Sequence, residues 1–159
     1  MNASVPARAK NIRTAALFTL GCKLNQFETE QIREQLEAAG IEIVPWGQKA
    51  DLYVINSCTV TAKADRDTRR LARYAKRLNP DALVVVTGCY AEVQPEVLEV
   101  IPEIDMVLGN AQKARFWQIF GAPQPQLIYG GTGPPIGRFS GHTRAFVKVQ
   151  EGCNAFCAY

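Results

Sequence analysis

Across residues 14–120, short apolar runs alternate with longer stretches in which apolar residues recur every three or four positions. This is the pattern of a parallel sheet whose crossover connections are helices. Five runs read as strands: residues 15–21, 41–44, 51–57, 83–87 and 104–108. Between them, residues 24–39 carry Leu24, Phe27, Ile32 and Leu36 at helical spacing and run into Gly40, a residue suited to ending a helix. A second helix is predicted from about residue 61 to 78, stopped by Asn79-Pro80, and a third over 95–100 with Pro95 at its first position. A fourth is predicted over 111–120, after Gly109-Asn110.

Five strands joined in this way predict an α/β fold, a flavodoxin-like doubly wound parallel sheet, over residues 13–121. The strand over 41–44 is expected at an edge. Residues 1–12 read as a flexible tail. Residues 122–143 read as a linker, with Pro123, Pro125, Pro134 and Pro135 among glycines. After it, residues 144–150 alternate apolar and polar like a strand, and the sequence stops at Tyr159. That strand is expected to open a second domain, residues 144–159, of a longer protein.

Hydrophobic residues at 47% and charged ones at 21% place the chain among ordinary globular proteins rather than disordered ones. No apolar run approaches membrane-spanning length and the N-terminus lacks a signal-peptide pattern, so a cytoplasmic protein without a membrane partner is expected. Five cysteines, an odd number, with no export signal argue against a disulfide framework and for metal ligation or catalysis.

Three of the cysteines occupy equivalent places. Cys22, Cys58 and Cys89 each close a strand-like run and stand shortly before a helix-like segment. The carboxyl ends of parallel strands open into one crevice, so these thiols are expected to converge there, where helix N-termini favour thiolates. A buried apolar role is common for a single free cysteine. Shared by three of four strand ends, it is the poorer account. Structural zinc usually takes closely spaced pairs, whereas about thirty or more residues separate these cysteines. Three thiolates also leave a cubane cluster one protein ligand short, with an open position. Cys153 and Cys157 form a second constellation directly after the strand over 144–150. A cysteine at position 160, beyond the chain end, would complete a Cys-x-x-x-Cys-x-x-Cys loop.

Four segments in order, Thr19-Leu20-Gly21-Cys22-Lys23-Leu24-Asn25-Gln26-Phe27-Glu28-Thr29-Glu30, Ile55-Asn56-Ser57-Cys58-Thr59-Val60-Thr61, Val86-Thr87-Gly88-Cys89-Tyr90-Ala91 and Val149-Gln150-Glu151-Gly152-Cys153-Asn154-Ala155-Phe156-Cys157, resemble the methylthiotransferase family of radical S-adenosylmethionine enzymes. The resemblance implies that Cys22, Cys58 and Cys89 ligate an auxiliary 4Fe–4S cluster. It implies that Cys153 and Cys157 are two of three ligands to a second 4Fe–4S cluster, which binds S-adenosylmethionine and cleaves it to a 5′-deoxyadenosyl radical. An electron donor and tRNA are the implied partners. Gly21-Cys22-Lys23-Leu24-Asn25 resembles the branch acting at C2 of N6-threonylcarbamoyladenosine 37 of tRNA more than the isopentenyladenosine or ribosomal-protein branches. Most of the radical barrel is absent, so the chain as it stands is expected not to turn over.

Residues 63–77 hold seven basic residues against Asp65 and Asp67, a local +5 in a chain of net charge +3. With Leu71, Ala75 and Leu78 as an apolar stripe, the remaining faces of this helix are candidates for tRNA phosphate contact, for a solvated surface or for pairing with neighbouring protein. Trp46 and Trp117 are expected to pack, Asn25, Asn56 and Asn110 to order loops, and His142 to have no role. A non-catalytic binding module using the same crevice is the rival reading, but no Gly-x-Gly-x-x-Gly or Walker loop follows any strand.

Overall fold

The computed structural model describes residues 11–58, 62–113, 116–120 and 136–137. Strands β1 (Thr14–Thr19), β2 (Glu42–Ile43), β3 (Leu52–Ser57), β4 (Leu83–Gly88) and β5 (Met106–Leu108) form one sheet in the order β2-β1-β3-β4-β5. Every pairing is parallel. The chain winds outward from β1 to β2, then returns to β3 and winds the other way. This is the flavodoxin-like doubly wound order, with its switch point between β1 and β3. The strand expected at an edge is there, two residues long.

The central strands β3 and β4 are buried at all six positions, as parallel strands covered on both faces must be. Alternation then sorts their side chains into two cores. Tyr53, Ile55, Val84 and Val86 pack with Leu71, Ala72 and Ala75 of α2 (Ala62–Leu78), Tyr90 of α3 (Cys89–Val93) and Leu98 of α4 (Pro95–Glu99). Leu52, Val54, Leu83 and Val85 pack with Ile32 and Leu36 of α1 (Lys23–Ala38) and with Phe116 and Phe120 of α6 (Phe116–Phe120). Each large aliphatic side chain buried in this way contributes about 1.5–3 kcal/mol. Trp46 packs as expected, edge-on between Phe18 at 5.0 Å and Tyr53 at 5.5 Å between ring centroids.

Two helices depart from the expectation. A five-residue helix, α3, begins at Cys89 itself and ends at Gln94, because the residue before Pro95 is pushed away from helical geometry. Within the stretch expected as one helix over 111–120, the structure has α5 (Asn110–Lys113) and α6, separated by two residues outside the described set. Of the expected linker, only Ile136 and Gly137 are described, and the Gly137 N–H donates to Glu34 Oε1 at 2.7 Å. The tail expected to residue 12 is described only from Asn11, and Ile12 packs against the α1-side core. Trp117's side chain, His142 and the strand expected over 144–150 lie outside the described residues. Among the described residues no helix is long and apolar enough to cross a membrane.

Asp51 fastens the start of β1 to the start of β3. Its Oδ2 accepts the N–H groups of Arg13 at 2.9 Å and Thr14 at 3.0 Å and the Thr14 hydroxyl at 3.1 Å. Burial, the largest single influence, pushes this carboxyl upward, but those hydrogen bonds and the Arg13 charge together hold it below the usual carboxylate range. A depressed carboxyl contributes stability that is present above its unfolded value and lost as pH falls through the lower folded one. Asp51→Ala should therefore cost about 1–2 kcal/mol at neutral pH, because water replaces only the exposed end of the set. The same substitution should flatten the loss of stability on acidification. Urea unfolding across an acidic pH series measures both.

Candidate functional site at the carboxyl ends of the strands

The register brings four strand ends into one row. Thr19 lies opposite Asn56, Asn56 opposite Thr87 and Thr87 opposite Leu108, with Ser57 opposite Gly88 one position further on. Strands are spaced about 4.8 Å apart. Cys22 follows this row by three residues, and Cys58 and Cys89 by two each. The three thiols therefore open onto the same edge, with Cys22 and Cys58 flanking the switch point between β1 and β3.

Beneath them runs a lace of side-chain hydrogen bonds. At strand ends the backbone carbonyls have no further ladder partners, and buried ones must find others. Asn25, buried in the first turn of α1, donates its amide to the carbonyls of Leu20 at 2.7 Å and Ser57 at 2.9 Å. One side chain thus ties the loop carrying Cys22 to the residue preceding Cys58. Asn56 reaches back, donating to the Asn25 carbonyl at 2.9 Å and to Thr29 Oγ1 at 3.1 Å. Thr19 donates to Thr29 Oγ1 at 2.8 Å. The Ser57 hydroxyl donates to the Thr87 carbonyl at 2.5 Å, and the Thr87 hydroxyl to the Leu108 carbonyl at 2.8 Å. Buried polar residues thus connect the ends of β1, β3, β4 and β5.

Backbone geometry then sets each thiol. Gly21 has φ +98°, and a Cβ there would lie 2.6 Å from Cys58 Cβ and 2.8 Å from Cys58 Sγ. Only glycine lets the loop before Cys22 close onto Cys58. Gly88, at φ +93°, comes equally near Ser57, where an added Cβ would stand 2.8 Å from the Ser57 nitrogen. Cys22 caps α1 and is exposed, Cys58 is buried, and Cys89 is half-buried at the start of α3. Burial pushes the Cys89 thiol above its ordinary value. Repulsion from Cys58 adds to this, the Lys113 ammonium opposes it, and Glu28 and Cys22 add smaller upward pushes. Cys89 therefore feels both other cysteines, and the three form one electrostatic group.

The fourth strand end supplies a charge instead of a thiol. Lys113, at the end of α5, is buried and donates to Glu28 Oε2 of α1 at 2.6 Å and to Asn110 Oδ1 at 2.9 Å. Among the described residues no three His, Cys, Asp or Glu side chains are assembled to hold a metal ion. The donor set suits a cluster better than a single ion. In a polynuclear cluster each thiolate meets its own iron, so thiols need only border one cavity rather than point at one centre. The side-chain-free Gly21 and Gly88 keep backbone bulk low beside them.

Sequence reasoning brought Cys22, Cys58 and Cys89 together and named Asn25, Asn56 and Asn110. It missed Lys113, Glu28, Thr29, Ser57 and Thr87. The available signal was the polar ends, Asn56-Ser57 and Thr87, of otherwise apolar strands. Cys153 and Cys157 lie outside the described residues. The basic helix α2 is used largely within its own domain. Arg70 pairs with Asp67 at 3.2 Å, Arg73 with Glu103 at 3.6 Å and Lys76 with Asp105 at 2.8 Å. Arg69 donates to the Tyr90 hydroxyl at 3.3 Å.

Comparison with known proteins adds an independent line. The model of a family described as "Uncharacterized protein family UPF0004" matches residues 14–109. The chain is similar to a threonylcarbamoyladenosine tRNA methylthiotransferase of Aquifex aeolicus, 40% identical over 91% of this chain and 38% of that protein. It is similar to a protein of the same name from Bacillus subtilis, 40% identical over 92% of this chain and 35% of that one. A tRNA-2-methylthio-N(6)-dimethylallyladenosine synthase of Moorella thermoacetica is 29% identical over 92% of this chain and 36% of its own length. The chain thus spans a little over a third of the length of these curated relatives.

Two outcomes follow from the geometry. Asn25→Ala should destabilise the domain by about 1–3 kcal/mol for each buried carbonyl left unpaired. Asn25→Asp should cost more, because it sets an oxygen against the carbonyls that the amide served. Equal or reversed losses in urea unfolding would contradict the clamp. In metal-free protein the raised Cys89 thiol means that the unfolded chain releases its proton first as pH rises. The stability is complete below the ordinary thiol value of about 8.5 and declines above it. Cys89→Ala should flatten that decline at its onset. Tyr53, also raised by burial, adds its part nearer pH 10.

Proposed function

The chain belongs to the methylthiotransferase family, whose members share the domain described as "Uncharacterized protein family UPF0004", and on that premise we propose that it is the cluster-carrying part of an enzyme that adds a methylthio group at C2 of N6-threonylcarbamoyladenosine 37 of tRNA. The observation that carries this reading is the meeting of Cys22, Cys58 and Cys89 at one end of the sheet, on backbone held by Asn25, Asn56, Ser57 and Thr87. The choice of substrate branch is supported by 40% identity to the two threonylcarbamoyladenosine enzymes, against 29% to the dimethylallyladenosine synthase.

In this reading Cys22, Cys58 and Cys89 hold an auxiliary 4Fe–4S cluster, and Cys153 and Cys157, with a third cysteine at position 160 beyond the chain end, hold a second that binds S-adenosylmethionine. Bound there, the two clusters supply the sulfur and, with an electron donor and S-adenosylmethionine, the radical. The protein's own part is positional. The sheet holds three ligands at a fixed span, and Gly21 closes the first ligand loop onto the second. Cys22, the exposed thiol, places its side of the site where an incoming nucleoside has access. The cytoplasm is the compartment in which tRNA is available and thiols stay reduced.

Anaerobic reconstitution with iron and sulfide tests the ligand set. The chain should take up iron with visible charge-transfer absorbance. Alanine at any one of Cys22, Cys58 or Cys89 should sharply lower the iron bound per protein, and the triple variant, with Cys153 and Cys157 also replaced, should bind none. Iron retained by that variant would sink the reading.

A further inference from the structure

The strand end that lacks a cysteine carries a buried cation. β5 ends at Leu108 in register with Thr87, and α5 then places Lys113 against α1. Lys113 and Glu28 form an ion pair at 2.6 Å with side chains only 9% and 12% exposed. Removing two charges from water costs several kcal/mol per ion, and an apolar pair of the same volume commonly serves stability as well or better. Stability alone therefore does not account for this pair.

Its orientation does suggest a role. An ammonium has three N–H donors, and Glu28 and Asn110 take two. Among the described residues nothing takes the third. At the Cys89 thiol the attraction of Lys113 exceeds the repulsion of Glu28, so the pair turns its positive end toward the cysteines. Any electron added to a group held by three thiolates adds negative charge to this partly enclosed site. A fixed cation nearby favours that charge and a fixed carboxylate disfavours it, more strongly here than in water.

We propose that Lys113, held by Glu28 and Asn110, is the counter-charge that raises the reduction potential of an iron–sulfur cluster on Cys22, Cys58 and Cys89. The proposal rests on the ligand set given under Proposed function. Glu28 is the opposing member that limits the effect, so the two residues should act with opposite sign.

The test uses the full chain with Cys153 and Cys157 replaced by alanine, reconstituted anaerobically so that one cluster is observed. Potentiometric titration gives its midpoint potential, and urea unfolding of the metal-free protein gives stability separately. Lys113→Met should disfavour the reduced cluster about tenfold, a fall of about 59 mV for one electron. Glu28→Gln should raise the potential, and Lys113→Arg should stay near the parent. Because Lys113→Met leaves Glu28 buried and unpaired, it can fail to fold. Glu28→Gln, which keeps the lysine, then decides the matter by the sign of its shift. Potentials within twofold of the parent, or shifts of the same sign in Lys113→Met and Glu28→Gln alongside lost stability, would overturn the proposal and leave a structural pair. A parent protein that binds no iron would overturn the ligand set as well, a result distinct from any shift in potential.

Discussion

The site depends on the hydrogen-bonded lace at the carboxyl edge of the sheet, and above all on Asn25. Strand pairing alone fixes the chain only as far as Thr19, Ser57 and Gly88. Beyond those residues each cysteine sits on backbone that no ladder holds. Asn25 converts two loose ends into one by donating to both the Leu20 and Ser57 carbonyls, and Asn56 returns the contact from β3 to α1. Ser57 and Thr87 extend the connection to β4 and β5. A buried polar network of this kind is favourable only when nearly every member is satisfied, which makes it specific as well as stabilising. Its one exception among these residues is Asn56 Oδ1, buried without a hydrogen-bond partner.

Burial and charge are graded across the crevice. Cys58 lies deepest, beneath the Gly21 loop, Cys89 is intermediate and Cys22 faces outward. A buried thiol in apolar surroundings resists ionisation, and the site opposes this with a buried cation rather than with exposure to water. The same economy governs α2, where a run of basic residues that looks like a nucleic-acid surface in sequence is drawn into ion pairs with Asp67, Glu103 and Asp105. Surface pairs such as Arg70 with Asp67 contribute little, at most about 1 kcal/mol each. The charge run is therefore a weaker sign of tRNA contact than its composition suggests.

Periodicity made the architecture legible. Apolar runs of strand length alternating with 3.6-residue patterns specify parallel strands and crossover helices, because each element must bury its apolar face against another. The short edge strand, the packing of Trp46 and the convergence of Cys22, Cys58 and Cys89 followed from that logic. Thiols placed after parallel strands can only meet at one edge. The break between α3 and α4 was less visible, since it turns on Gln94 and Pro95 within a short segment whose apolar positions suit one helix or two.

What the sequence determined by itself was the set of elements, their order and the identity of the three thiols, all of which are local or nearest-neighbour properties. Only the tertiary structure decided what lies between and around those thiols. Asn25 and Ser57 are 32 residues apart, and Lys113 and Glu28 are 85 apart. Neither pairing leaves a periodic trace, because a hydrogen bond or an ion pair needs one donor and one acceptor at one distance, whereas a hydrophobic face needs a repeated pattern. Register is the physical link. Once β1, β3, β4 and β5 lie side by side with Thr19, Asn56, Thr87 and Leu108 in one row, residues remote in sequence come within hydrogen-bonding reach.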